Sequence, residues 1–145
     1  MTHLMRSALL MLTLLFGHSI AWAEAEGPPA CFLGLWKSHE ALTLEDMRKH
    51  PDVSDKAKTL FENNFFGKLV VIFGPRNHGS YFEDETDAQP LQFNAYRIKS
   101  RGPDWMVLTR QLLGEDVDTK LGCEGERYYA IITRWEFKEY FVRVP

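Results

Sequence analysis

Short runs of β-forming residues, each bounded by a turn signal, dominate the chain after residue 67. Between residues 91 and 96 every second position is Leu, Phe or Ala, the period expected of a strand with one buried face. Turn-rich clusters at 74–79 and 101–104 separate neighbouring runs. With no helices between the later runs to serve as parallel crossovers, an antiparallel meander of seven or eight strands is predicted, as a barrel or a sandwich. The predicted strands cover residues 32–38, 68–73, 80–83, 91–99, 105–113, 119–124, 127–135 and 139–144.

Two helices are predicted between the first and second strands. Thr43 is placed to cap the first, with Asp46 three residues later, and the helix should end before Pro51. The second should run from about 54 to 64 and stop at Gly67. The fold class is therefore mainly β, with a two-helix insert after the first strand. The predicted apolar face of the second helix consists of Val53, Ala57, Leu60, Phe61 and Asn64.

The first 23 residues are typical of a secretory signal. Arg6 precedes an apolar run over 8–16, and Ala21-Trp22-Ala23 gives the small-x-small cleavage pattern. The run is shorter than the roughly 20 residues that a bilayer-spanning helix needs, so we expect no stable membrane anchor. Residues 24–145 are then expected to form a single periplasmic or secreted domain.

Export also bears on the two cysteines. In an oxidising compartment two cysteines usually pair, so we expect a disulfide between Cys31 and Cys123. It would tie the start of the mature chain to a late strand. A reactive or metal-binding thiol is the alternative, but neither cysteine lies in a CxxC pair or near a histidine.

Composition and motifs argue against several classes of function. A formal net charge of -3 does not favour nucleic-acid binding, which needs a basic face. The sequence has no Gly-x-Ser-x-Gly elbow, no phosphate-binding glycine loop and no zinc-helix histidine pair. We therefore expect a non-catalytic protein without metal or cofactor.

The first predicted strand carries Gly34-Leu35-Trp36, which resembles the Gly-x-Trp signature of the lipocalin and calycin superfamily. The resemblance implies that Trp36 closes one end of a β-barrel and that an arginine from the last strand packs over it. Arg143 is the matching position, and Arg134 is the second candidate. The helical pair resembles the lid of the fatty-acid-binding branch. The Gly-x-Trp-Lys-Ser opening is also similar to that of small bacterial envelope proteins of uncharacterised function.

Such a barrel implies an interior ligand site built from basic and aromatic residues on the strands. A buried arginine would bind an anionic head group, and aromatic walls would take the apolar part of the ligand. The alternative is that the arginines face solvent and the aromatics fill the core, because a one-residue error in phase exchanges the two faces of a strand. The candidate ligand-binding residues are Trp36, Phe93, Arg97, Trp105, Arg110, Tyr128 and Arg134.

The sequence thus predicts a monomeric exported protein that binds a small apolar or amphipathic molecule, anionic ones included. The alternative is an envelope inhibitor or immunity-type protein that binds a partner protein through charged loops. Residues 83–87 and 114–118 are the candidate loops, whose acidic side chains would steer a basic partner.

Overall fold

The computed structural model describes residues 27–84 and 93–145, without the side chains of residues 93–95 and 112. The predicted signal sequence, residues 85–87 of one candidate loop and the side chain of Phe93 lie outside the described residues. A 3₁₀ turn, Ala30–Phe32, leads into β1, Gly34–Ser38, which is followed by α1, Glu40–Met47, and α2, Asp55–Glu62. The remaining strands are β2 Leu69–Phe73, β3 Asn77–Phe82, β4 Phe93–Ala95, β5 Arg97–Arg101, β6 Trp105–Leu112, β7 Glu115–Glu124, β8 Arg127–Ile132 and β9 Phe137–Arg143.

All these strands belong to one antiparallel sheet with the order β4-β3-β2-β1-β9-β8-β7-β6-β5. The first strand pairs with the last, through the register Trp36 to Arg143 and Ser38 to Phe141. The two outermost strands of the order, β4 and β5, are separated in the chain by Tyr96 alone. The sheet is therefore curled and barrel-like, and the predicted mainly β fold with two helices after the first strand is confirmed. Together β4 and β5 occupy the single strand predicted over 91–99.

The register places alternate residues of each strand inside the curl. At one end, here called the closed end, the interior holds a buried cluster built around Phe32, Trp36 and Tyr128. At the other, the helical end, residues from α1 and α2 pack against Phe137 of β9 in a second buried cluster. The helices therefore cover part of one end of the curled sheet, while the 3₁₀ turn covers the other.

Backbone hydrogen bonding explains where α1 docks. β1 pairs with β9 only as far as Phe141, so the earlier part of that β9 edge needs other partners. The N–H of Lys138 donates to Asp46 Oδ2 at 2.8 Å, and the N–H of Tyr140 donates to Thr43 Oγ1 at 3.0 Å. Side chains of α1 thus complete the edge of the last strand.

The predicted cap of α1 is wrong. Thr43 lies inside the helix and is fully buried, because its hydroxyl is needed against β9. The N-cap is His39, whose Nδ1 accepts a hydrogen bond from the N–H of Leu42 at 3.4 Å. A histidine cap lies outside the usual Ser, Thr, Asp and Asn preference, so the sequence pattern pointed to the wrong residue.

The second helix follows its prediction more closely. Ser54 is the N-cap of α2, with its Oγ accepting from the N–H of Ala57 at 3.3 Å. The predicted apolar face is wrong at Leu60, whose side chain is 58% exposed. Asn64 lies beyond the end of the helix with a φ of 60°. The other three predicted members of the face, Val53, Ala57 and Phe61, do pack in the helical cluster.

Candidate ligand-binding cavity

Aromatic rings fill the interior at the closed end. The indole Nε1 of Trp36 donates to the carbonyl of Phe32 at 2.7 Å. The Tyr128 ring meets Trp36 edge-on, with 5.0 Å between centroids, and stacks on Phe141 at 4.6 Å. Tyr128 and Trp36 are both about 1% exposed. These rings form a packed floor at the closed end, and the rest of the interior lies above it.

Arg143 seals this floor from outside. Its guanidinium lies 4.3 Å from the centroid of the Trp36 ring, and its Nη1 donates to the carbonyl of Leu33 at 2.9 Å. Gly34 has a φ of 127°, and a Cβ there would lie 2.7 Å from Arg143 Nη1. Glycine is therefore required for both conformation and space. The structure thus brings together the three residues that the resemblance assigned to barrel closure.

The disulfide between Cys31 and Cys123 is present, with an S–S distance of 2.03 Å. It joins the 3₁₀ turn to β7 across a separation of 92 residues. Both cysteines pack against the closed-end cluster, next to the buried Phe32. The bond therefore holds the turn that covers the closed end.

Above the aromatic floor lies a cavity of about 230 Å³, enclosed by β2, β3, β6, β7, β8 and β9. Ligand pockets usually measure roughly 300–1,000 Å³, so this cavity is suited to a small ligand. Ile132 lines the cavity and also packs against the helical cluster, so the helices shield part of its upper side. Its apolar lining includes Val71, Phe73, Leu108, Leu121, Tyr128 and Phe141.

One acidic side chain, Glu139, belongs to the cavity wall. Its Oε1 accepts a hydrogen bond from Ser38 Oγ at 2.8 Å. Burial raises the pKa of the Glu139 carboxyl, against the opposing effects of the Ser38 hydroxyl and the positive charge of Arg110. Burial, with a further contribution from the Glu139 charge, also raises the pKa of Tyr128 well above its usual range. The cavity wall around Glu139 and Tyr128 is therefore an environment in which negative charge is disfavoured.

Ser38 is held in place from the helical end. Its Oγ accepts a hydrogen bond from the N–H of Gly67 at 3.2 Å, which leaves the hydroxyl proton for Glu139. Gly67 has a φ of 86° and precedes β2. The turn between the helices and the sheet therefore orients the hydroxyl that bonds Glu139 of the cavity wall.

Arg110 provides the opposite charge on the same cavity. The register pairs it with Val117, and both residues line the cavity from β6 and β7. Arg110 and Thr133 are exposed, so the cavity opens to solvent on this side. The arrangement combines an apolar interior, a half-buried carboxylate and an arginine at the opening.

The structure places some of the predicted ligand-binding residues inside the curled sheet and others on its outer face. Trp36 and Tyr128 lie in the aromatic floor, and Tyr128 and Arg110 line the cavity. Arg97 is on the outer face, where its Nη2 lies 3.0 Å from Asp116 Oδ2. The side chain of Trp105 is also directed outward and is 37% exposed.

Arg134 lies outside the interior as well, with its guanidinium 5.0 Å from the centroid of the Trp135 ring. The sequence interpretation missed Ser38 and Glu139. Strand alternation could have found the second of these: Glu139 lies four residues before Arg143, so if the Arg143 side chain is on the same face of the sheet as Trp36, Glu139 is on that face too. The residue pattern could therefore have identified Glu139, the acidic side chain of the cavity wall.

In the structure, acidic side chains of both candidate loops form ion pairs with basic residues. Glu83 lies 2.6 Å from Lys37 Nζ, and Asp84 lies 2.6 Å from Lys68 Nζ. The prediction that 114–118 forms a loop is wrong, because β7 begins at Glu115. The extended β6–β7 pairing places its acidic residues on a strand, where Asp116 and Asp118 pair with Arg97 and Lys99.

A further polar cluster lies on the outer face of β7, β8 and β9. Burial would raise the pKa of Glu124, but Lys138, Tyr140 and Arg127 together bring it below its usual range. Lys138 Nζ lies 4.2 Å from the Tyr129 ring centroid, and Arg127 lies 4.8 Å from that of Tyr140. These groups satisfy one another, so the cluster ties adjacent strands together.

Comparison of the chain with protein-family models, with curated proteins and with solved structures finds no match. In the described ranges, 27–84 and 93–145, neither helix is long and apolar enough to cross a membrane. Within the same ranges, no three His, Cys, Asp or Glu side chains form a group that could hold a metal ion.

Proposed function

We propose that this chain is a non-catalytic, exported binding protein that holds a small amphipathic molecule in the cavity above its aromatic floor. The observation that carries the proposal is the cavity itself, about 230 Å³ with apolar walls, two charged side chains and an opening. Concave apolar sites with a few convergent polar groups are the usual form of small-molecule sites.

A lipocalin-like architecture is part of this proposal. The curled antiparallel sheet, with its first strand paired to its last, supports it. So does the packing of Arg143 over Trp36 beside Gly34. Export is supported by the Cys31–Cys123 disulfide, since such bonds persist mainly in oxidising compartments.

Native mass spectrometry tests the binding role. The protein is purified from its own compartment without detergent, and its mass is measured before and after solvent extraction. We expect an added small-molecule mass that extraction removes. Ala130, which lies opposite Glu139 and lines the cavity, gives the blocking variant Ala130→Leu, expected to lack that mass.

Val107→Leu is the matched control, because Val107 lies between the inward-facing Met106 and Leu108 and therefore points outward. It should retain the added mass. An added mass of equal intensity in the wild type and in Ala130→Leu would contradict binding in this cavity.

A partner-binding role has one observation in its favour. Leu113, at the tip of the β6–β7 hairpin, is 98% exposed and has a φ of 52°. A leucine there combines an unfavourable conformation with apolar exposure, and such features cluster at functional sites. Leu113→Asn, which tolerates this conformation, would abolish binding to a candidate partner under this alternative. Under the cavity proposal it would leave small-molecule binding unchanged.

A further inference from the structure

Resting on the binding role proposed above, we propose that the cavity accepts a small zwitterion: a molecule with an ammonium group, a carboxylate and a short apolar substituent. The two charges would be met by Glu139 and Arg110, which line one cavity from different strands. The apolar substituent would face the aromatic and aliphatic walls.

Glu139 is the partner for the ammonium group. Ser38 supplies one hydrogen bond to its Oε1. Among the described residues, its carboxylate has no basic side chain within 4.0 Å. A half-buried carboxylate without a counter-ion is costly. A ligand cation that reaches it offsets that cost and forms a charge-assisted hydrogen bond.

Arg110 is the partner for the ligand's carboxylate. It stands at the opening of the cavity, and in the described part of the chain it too has no carboxylate within 4.0 Å. Its positive charge acts on Glu139, so the two groups share one electrostatic environment without forming a contact ion pair. A guanidinium offers paired donors that match a carboxylate.

Other ligand classes satisfy only part of this arrangement. A simple anion would be repelled by the negative charge of Glu139. A simple cation would be repelled by Arg110 and would leave the guanidinium without a carboxylate partner. Specificity of this kind comes from repulsion of the wrong ligand as well as attraction of the right one. At about 230 Å³ the cavity is also smaller than the roughly 300–1,000 Å³ usual for ligand pockets, which favours a compact ligand over a long acyl chain.

Four probes of similar size separate these classes. L-leucine, 3-methylbutan-1-amine, 4-methylpentanoate and 3-methylbutan-1-ol share a branched apolar group and differ in charge. Their dissociation constants for the full mature protein are measured by ligand-observed NMR at neutral pH. We expect L-leucine to bind about tenfold or more tightly than any of the other three, the gain expected when each charge finds one partner.

Two substitutions assign the charges. Glu139→Gln keeps an acceptor for Ser38 and should remove the advantage of L-leucine over 4-methylpentanoate. Arg110→Gln should remove its advantage over 3-methylbutan-1-amine. Neither should change the affinity of the alcohol. The exposed Glu126 and Arg134 give the control variants Glu126→Gln and Arg134→Gln, which should bind all four probes as the wild type does.

Equal affinities for all four probes, or a preference for one of the singly charged probes, would overturn the zwitterion proposal while leaving a binding cavity. Failure of all four to bind would also overturn it. The binding role itself would then be decided separately, by whether Ala130→Leu removes the mass seen in the native protein.

Discussion

Arg143 and Trp36 face each other across the β1–β9 pair, with the guanidinium 4.3 Å from the centre of the indole ring. The contact joins the first strand to the last, across 107 residues of sequence. It also encloses Gly34 so tightly that any side chain there would meet the guanidinium. Closure of this end therefore depends on a glycine, a tryptophan and an arginine acting together.

Gly34→Ala should lower the free energy of unfolding by roughly 1–3 kcal/mol from backbone strain alone, with the clash against Arg143 in addition. Gly114 supplies the control, since its φ is 83° and nothing lies within 4 Å of an added Cβ. Urea unfolding should therefore show a larger loss for Gly34→Ala than for Gly114→Ala. In an Arg143→Ala background the loss caused by Gly34→Ala should shrink to the strain component, and an undiminished loss there would count against the clash.

Reduction of the Cys31–Cys123 bond should lower the free energy of unfolding by as much as about 4–5 kcal/mol. A cross-link over 92 residues restricts the unfolded chain strongly, which gives that upper figure. Denaturant unfolding with and without a reductant measures the difference. The double variant Cys31→Ala, Cys123→Ala should be equally unstable in both conditions. A wild type indifferent to reductant would refute the stabilising role.

Thr43→Val should cost about 1–3 kcal/mol, because it leaves the buried N–H of Tyr140 without its acceptor. Thr59 provides a matched substitution on α2, where its exposed hydroxyl donates to the carbonyl of Asp55. Thr59→Val should change the free energy of unfolding by less than about 0.5 kcal/mol. Similar losses for both variants would contradict the docking of α1 on β9.

Glu139 should make stability depend on pH. Because burial raises its pKa in the folded state, the folded protein binds this proton more tightly than the unfolded chain. Its contribution to the free energy of unfolding therefore falls as pH rises from the usual glutamate range through the raised pKa. Glu139→Gln removes this contribution, so the variant should gain stability relative to the wild type over that interval.

Urea unfolding of the two proteins at a series of pH values between 3 and 8 measures this difference. Glu126→Gln, an exposed substitution of the same type, should track the wild type throughout. Parallel curves for Glu139→Gln and the wild type would show that burial of Glu139 has no energetic consequence.

Local patterns predicted the strands, the Gly-x-Trp resemblance implied the closed end, and tertiary contacts decided the rest. Alternation and turn signals are short-range properties, so the meander could be predicted from sequence. The cap of α1 could not, because Thr43 is held by Tyr140, 97 residues away. The outward direction of Arg97 and Trp105 follows from a register that composition does not contain.

The site was predictable only in part for the same reason. Arg110 and Tyr128 were recognised as interior candidates from their residue types. Glu139 was not among the candidates, because a carboxylate on a strand is ordinarily expected to face solvent. Its importance arises from the cavity and from Ser38, which approaches from a strand 101 residues away in sequence.

The most direct test of the central claim is a titration of methyl-labelled protein with 3-methylbutan-1-ol, followed by NMR. If the cavity is the binding site, the methyl signals of Leu108 and Leu121, which line it, shift and saturate together. Those of the exposed Leu60 and Leu113 stay in place. Saturable shifts at Leu60 or Leu113 with none at Leu108 and Leu121 would contradict an interior site.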